Sequence, residues 1–124
     1  EASAMAHRKV LSEERGGTFE VFSRPEQAVL CGDLNFAAHA PEHAQIRAPF
    51  QDGTPDFYDA WTVLNPGVAH IPTVGIHPVD FVDRPECFDF IFVTGGLVDR
   101  LAACKTDCVT EASDHQPVWI ELIE

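Results

Sequence analysis

Phe88-Asp89-Phe90-Ile91-Phe92-Val93 reads as a β-strand. In extended backbone Phe88, Phe90 and Phe92 line one face while Asp89, Ile91 and Val93 line the other, which leaves Asp89 as a lone carboxylate on an otherwise apolar face. Gly95-Gly96 ends the run. Upstream, Ala28-Val29-Leu30-Cys31 is a continuous apolar stretch, which reads as a buried strand in a sheet covered on both faces. It runs into Gly32-Asp33-Leu34-Asn35, where Asp33 and Asn35, two residues apart, point the same way if the backbone stays extended. Downstream, Ser113-Asp114-His115 opens a third run in which Val118, Ile120 and Leu122 alternate with Trp119, Glu121 and Ile123, a closing strand.

Between these anchors the signals are local. Ala2 to Arg15 is rich in helix formers and stops at Gly16-Gly17, and a short strand is expected over Thr18 to Phe22. One helical turn is expected around Glu42 to Arg47. Tyr58 to Leu64 reads as a short helix ended by Asn65-Pro66-Gly67. The Pro-bearing stretch from Val68 to Pro85 lacks periodicity and reads as an irregular loop. Leu97 to Leu101 reads as a helical turn, and Ala102 to Thr110 as a weaker strand. There is no internal repeat, low-complexity tract or linker, so the chain reads as one α/β unit.

At 124 residues and 45% hydrophobic content the chain is of single-domain size and can bury a core. No apolar run approaches the roughly 20 residues needed to span a bilayer, and the N-terminus lacks the layout of a secretory signal. The expectation is a soluble, cytoplasmic protein with no membrane span. Twenty acids against eight bases give a net charge of −12, which opposes the long-range attraction that a backbone-tracking nucleic-acid binder exploits. Many of the Asp residues adjoin apolar runs, where carboxylates can collect divalent cations. Cys31, Cys87, Cys104 and Cys108 show no Cys-x-x-Cys spacing and read as reduced, half-buried thiols.

Each candidate residue has a plain structural reading when taken singly. Asp33 and Asn35 suit a turn after a strand, Asp89 a buried carboxylate satisfied by backbone donors, and His115 a turn before Gln116-Pro117. Tyr58, Asp59 and Trp61 read as packing and capping residues. His7, His39, His43, His70 and His77 read as surface or loop residues, with His70 and His77 the better candidates to face a substrate.

Jointly, the ordered series Gly32-Asp33-Leu34-Asn35, Tyr58-Asp59-Ala60-Trp61, Phe88 to Val93 and Ser113-Asp114-His115-Gln116-Pro117-Val118 resembles the C-terminal half of the endonuclease/exonuclease/phosphatase superfamily. The resemblance runs from about Arg8 to the end of the chain. It implies half of a four-layer, DNase I-like α/β sandwich, mainly antiparallel sheet with flanking helices, with residues 1–124 forming a single partial domain. It also implies a divalent-metal-dependent phosphoester hydrolase. On that pattern Asp33 deprotonates the attacking water, Asn35 and His115 hold phosphate oxygens, Asp89 orients His115, and Asp114 helps to bind Mg2+ or Mn2+. In-line displacement at phosphorus needs an activated water and neutralised equatorial oxygens, which these residue types supply.

Family members also carry an N-terminal half with a metal-binding Glu, an early Asn and a further His. Glu1, Glu13, Glu14 and Glu20 do not occupy the strand context of that Glu. The expected partners are therefore a phosphoester substrate and either the missing N-terminal half or a self-associated copy. Nucleic acid stays among the substrates but is not favoured by the charge. The alternative implied by the same departure is a non-catalytic truncated relative or fragment acting as an interaction module.

Overall fold

A computed structural model describes residues 25–124, and the helix and strand expected over Ala2 to Arg15 and Thr18 to Phe22 lie outside that range. The described residues form a small α/β fold of antiparallel sheets with few helices. Its centre is β3 (Asp89–Thr94), which pairs antiparallel with β1 (Val29–Asp33) on one side and with β2 (Phe57–Asp59) on the other. A second sheet joins β4 (Leu101–Thr106) to β5 (Val118–Leu122), also antiparallel, with a register shift between Leu101 and Ala103. Three short helices complete the fold: α1 (Pro41–Ile46), α2 (Ala60–Leu64) and α3 (Gly95–Val98).

The alternation along β3 sends its side chains into two different cores. Val93 packs with Ala60, Leu97 and Leu101 and against Ile91, Cys104 and Ile120, so this face meets the second sheet and α2. Phe90 and Phe92 pack with Cys87 and against Leu34, Phe36, Ile46 and Phe57 on the opposite face. Phe92 and Val93 are both fully buried, and burying a side chain of this size contributes about 1.5–3 kcal/mol.

Three expectations need correction. Every residue of β1 is exposed, Val29 by 46% and Leu30 by 37%, so this strand is not covered on both faces. It pairs only with β3 and, among the described residues, no layer lies over its apolar side chains. The segment read as a helix from Tyr58 starts as strand β2, because Asp59 caps the helix and delays it to Ala60: its Oδ1 accepts from Trp61 N at 2.9 Å and Thr62 N at 3.3 Å. Likewise, Gly95-Gly96 opens α3 and Leu101 begins β4, a shift of the expected turn toward the N-terminus.

The loop over 68–85 is irregular but pinned. Val74, fully buried, bridges to both Glu86 and His115. At Gly75, where φ is +75°, a Cβ would come within 2.7 Å of Val82 Cγ2 and 3.2 Å of the Arg84 carbonyl, so the loop folds back onto a position that only glycine fills without strain. Among the described residues no helix is long and apolar enough to cross a membrane.

Candidate functional site

The β1–β3 register sets Asp33 directly opposite Asp89. Like charges facing each other across antiparallel strands are destabilising, so this rung needs a compensating partner. His115 supplies it. Val74 bridges to its backbone, and the neighbouring Gln116 N donates to the Thr73 carbonyl at 2.7 Å. The buried Gln116 amide in turn donates to the Asp107 and Thr110 carbonyls, which fixes the turn leading into β5. Thus placed, His115 Nδ1 lies 2.7 Å from Asp89 Oδ2, and its Nε2 lies 3.9 Å from Asp33 Oδ2. One donor atom from each of Asp33, Asp89 and His115 lies within 4.8 Å of the others.

The Asp89 carboxylate accepts at the same oxygen from Thr73 Oγ1, at 2.6 Å. That hydroxyl itself accepts from Phe88 N at 3.0 Å and Asp89 N at 3.2 Å, which leaves its own hydrogen directed at the carboxylate. Asp89 is therefore satisfied by two side chains rather than by backbone donors. Its hydrogen bond to His115, aided by the charges of Asp89, Asp33 and Asp114, raises the imidazole pKa above its ordinary value. Phe81 of the 68–85 loop stacks beside His115, with ring centroids 6.4 Å apart and planes 18° apart, and it is itself 56% exposed.

Of the residues singled out in the sequence, Asp33, Asp89 and His115 converge. Asn35 sits next to them but not in extended backbone: β1 ends at Asp33, Asn35 adopts φ +54°, and its backbone N donates to Asp33 Oδ1 at 2.9 Å. The turn reading of Asp33 therefore holds for Oδ1, while Oδ2 faces His115. Asp114 lies exposed on the turn before His115, with Ser113 Oγ donating to it at 3.3 Å. Thr73, 1% exposed, was not legible as a site residue. The available signal was its place in Ile71-Pro72-Thr73, where proline holds the chain extended beside a polar side chain.

A second cluster lies in the interior. His43 Nε2 and His70 Nε2 approach the same oxygen of Asp59, Oδ2, at 2.6 and 2.7 Å, while Oδ1 caps α2. The side chains are 5% (His43), 14% (His70) and 2% (Asp59) exposed. His43 is therefore a core residue on α1 rather than a surface one, and His70 faces Asp59 rather than the open site. Burial alone would push the Asp59 carboxyl up, but the hydrogen bonds from both imidazoles, the electrostatic attraction of His70 and the Thr62 N–H hold it well below the usual carboxylate range. His77, the other candidate for a substrate-facing role, stands with Nδ1 3.9 Å from Glu111 and with Nε2 buried and unpartnered.

All four cysteines are free thiols. Burial, with the charges of Asp59 and Asp89, pushes Cys87 up to about 12, and burial with Asp59 pushes Cys104 up to about 11. Neither a protein-family model nor a curated protein matches the chain.

Proposed function

We propose that the open cluster is the phosphate-cleaving face of a metal-dependent phosphoester hydrolase of the endonuclease/exonuclease/phosphatase type, the two antiparallel sheets corresponding to the C-terminal half of a DNase I-like sandwich. The observation that carries this reading is the opposed Asp33–Asp89 rung bridged by His115. Two facing carboxylates at a solvent-open sheet end are a local cost in stability, the kind of arrangement that clusters at functional sites.

His115 Nε2 and Asp33 Oδ2, 3.9 Å apart, are too distant to bond each other. An oxygen placed off the line between them lies within about 2.8 Å of both, at ordinary hydrogen-bond length. Asp33 is the acceptor for the proton of an attacking water, His115 donates to a non-bridging phosphoryl oxygen, and Asn35 offers its side-chain amide to another. Asp89 accepts from Nδ1 and so fixes the ring orientation with Nε2 facing outward, and Thr73 holds Asp89 in turn. The raised pKa keeps His115 a donor to higher pH than a free imidazole.

Mg2+ or Mn2+ suits the donor set, because exposed carboxylate oxygens are the hard ligands those ions prefer. Asp114 would hold the ion, with the mutually close donor atoms of Asp33, Asp89 and His115 beside it. The ion would supply positive charge to offset the negative charge on the phosphoryl oxygens.

The test is hydrolysis of bis-p-nitrophenyl phosphate by the full chain with Mg2+ or Mn2+. Turnover that disappears in Asp33→Ala and in His115→Ala supports the proposal, and turnover unaffected by both overturns it.

The exposed apolar residues Val29 and Leu30 on β1, with Trp119, Leu122 and Ile123 at β5, favour a covering partner. That partner is a complementary N-terminal half or a second copy of the chain. A chain that associates in light scattering but shows no turnover would match the second reading, an interaction module that keeps the scaffold without the chemistry.

A further inference from the structure

The buried cluster holds three ligand-type groups drawn from three separate segments: His43 on α1, Asp59 at the β2–α2 junction and His70 in the following loop. Both imidazoles aim Nε2 at one oxygen of Asp59, and the three donor atoms lie within 4.8 Å of one another. The other oxygen is held by the first amides of α2, which orient the carboxylate from behind as outer partners do for metal ligands. Phe90 and Phe92 pack on His43 with centroids at 5.1 and 5.6 Å, forming an apolar wall of the kind that keeps water from competing for such a site.

An independent feature adjoins this group. A cavity of about 20 Å³ is bordered by Asp59 and His70 and also by Thr73, Cys87 and Asp89. That volume suffices for one water molecule, and although the lining is mainly apolar, Asp59, His70, Thr73 and Asp89 border it as polar residues.

We propose that His43, Asp59 and His70 bind one divalent transition-metal ion of the Zn2+ class, with a water in the adjoining cavity as fourth ligand. Two nitrogens and one carboxylate oxygen match the ligand types Zn2+ takes, whereas imidazole ligands are a poor match for Mg2+. At 2.6 and 2.7 Å the two N···O contacts are hydrogen-bond lengths, so each imidazole donates to Asp59 when no ion is bound. Tetrahedral bonds of about 2.0–2.2 Å set neighbouring donors roughly 3.3–3.5 Å apart. Binding therefore requires the imidazoles to withdraw by about 0.7 Å, while each ring proton moves from Nε2 to Nδ1 to free the ligating lone pair. With the His43 and Asp59 side chains buried and His70 only 14% exposed, the ion would be structural, tying α1 and the 65–73 loop to the end of β2.

The test is titration of the chelator-stripped, full 124-residue chain with Co2+ as the spectroscopic probe and then with Zn2+. One equivalent of Co2+ should give the intense visible bands of a four- or five-coordinate ion, displaced by Zn2+ and unaffected by millimolar Mg2+. The signal should persist in the Asp33→Asn, His115→Gln double variant and lose at least tenfold in affinity in His43→Gln and His70→Gln. Should either glutamine variant fail to fold, Co2+-shifted proton resonances in the wild-type chain decide the matter: paramagnetic shifts on His43 and His70 support the site, and shifts confined to His115 overturn it. No uptake above the chelator background overturns it too, leaving a hydrogen-bonded lock. Because the Asp33, His115 double variant removes the open cluster, failure here and failure of the hydrolase reading give separate results.

Discussion

The molecule builds the same chemical motif, carboxylate with imidazole, twice, and the two versions differ chiefly in where they sit. Asp59 with His43 and His70 lies in the interior, both imidazoles bonded to one carboxylate oxygen, and ties three segments together. Asp33 and Asp89 with His115 lie at the open end of a sheet, where His115 is 25% and Asp33 37% exposed and one contact is too long to be a bond. Burial turns the first into a structural knot. Partial exposure leaves the second with unfilled hydrogen-bonding capacity and a like-charge rung, a local cost in stability that a cation would relieve.

The comparison breaks most directly through Asp59. Asp59→Asn removes a buried charge that two imidazoles require, and an on-the-order-of 3–5 kcal/mol loss of stability is expected in urea denaturation. Asp33→Ala removes one member of a repelling pair and should change stability by less than about 1 kcal/mol. Equal losses in the two variants would erase the distinction between knot and site.

Next in size is the functional arm. His115→Ala should cost about 10²- to 10⁴-fold in phosphodiester turnover, the usual worth of one positioned proton donor or acceptor, while the melting transition stays cooperative.

Thr73→Val sharpens the comparison by removing only the support beneath Asp89. It leaves Phe88 N and Asp89 N without their shared acceptor, so a loss of about 1–3 kcal/mol is expected. The pH profile of turnover should move with it, which a purely structural role for Thr73 would not produce.

The smallest effect is in pH dependence, and its sign differs between the clusters. His115 has a raised pKa when folded, so its pairing with Asp89 stabilises fully below the ordinary imidazole value of about 6.5 and fades as pH rises through the higher folded value. Asp59 has a lowered pKa, so its contribution is complete above the ordinary carboxylate value of about 3.9 and fades as pH falls through the lower folded value. Melting temperature against pH should thus show an alkaline shoulder that Asp89→Asn flattens and an acid limb that Asp59→Asn flattens.

Much of this was legible in the chain itself because it depends on short-range pattern. The alternation from Phe88 to Val93 is the signature of β3, and the strands bearing Asp33 and leading from His115 followed from apolar runs beside turn residues. The convergence of Asp33, Asp89 and His115 was suggested by motif order and is realised by strand register and the Val74 bridge. What stayed hidden depends on partners distant in sequence. His43 is polar and lies near Pro41, so nothing local says that it is buried, because its partner is 16 residues away. Thr73 reaches Asp89 across the same separation. The exposure of β1 was unreadable for a related reason: an apolar run records that a strand needs cover, not which segment provides it.

The distribution of the four thiols gives the fold an internal clock. Cys31 and Cys108 are exposed and will meet a disulfide reagent at once, whereas Cys87 is buried and Cys104 half-buried, and burial pushes both thiols toward the less reactive protonated form. The slow phase of labelling therefore times the opening of the two packed faces of β3, one residue reporting from each side.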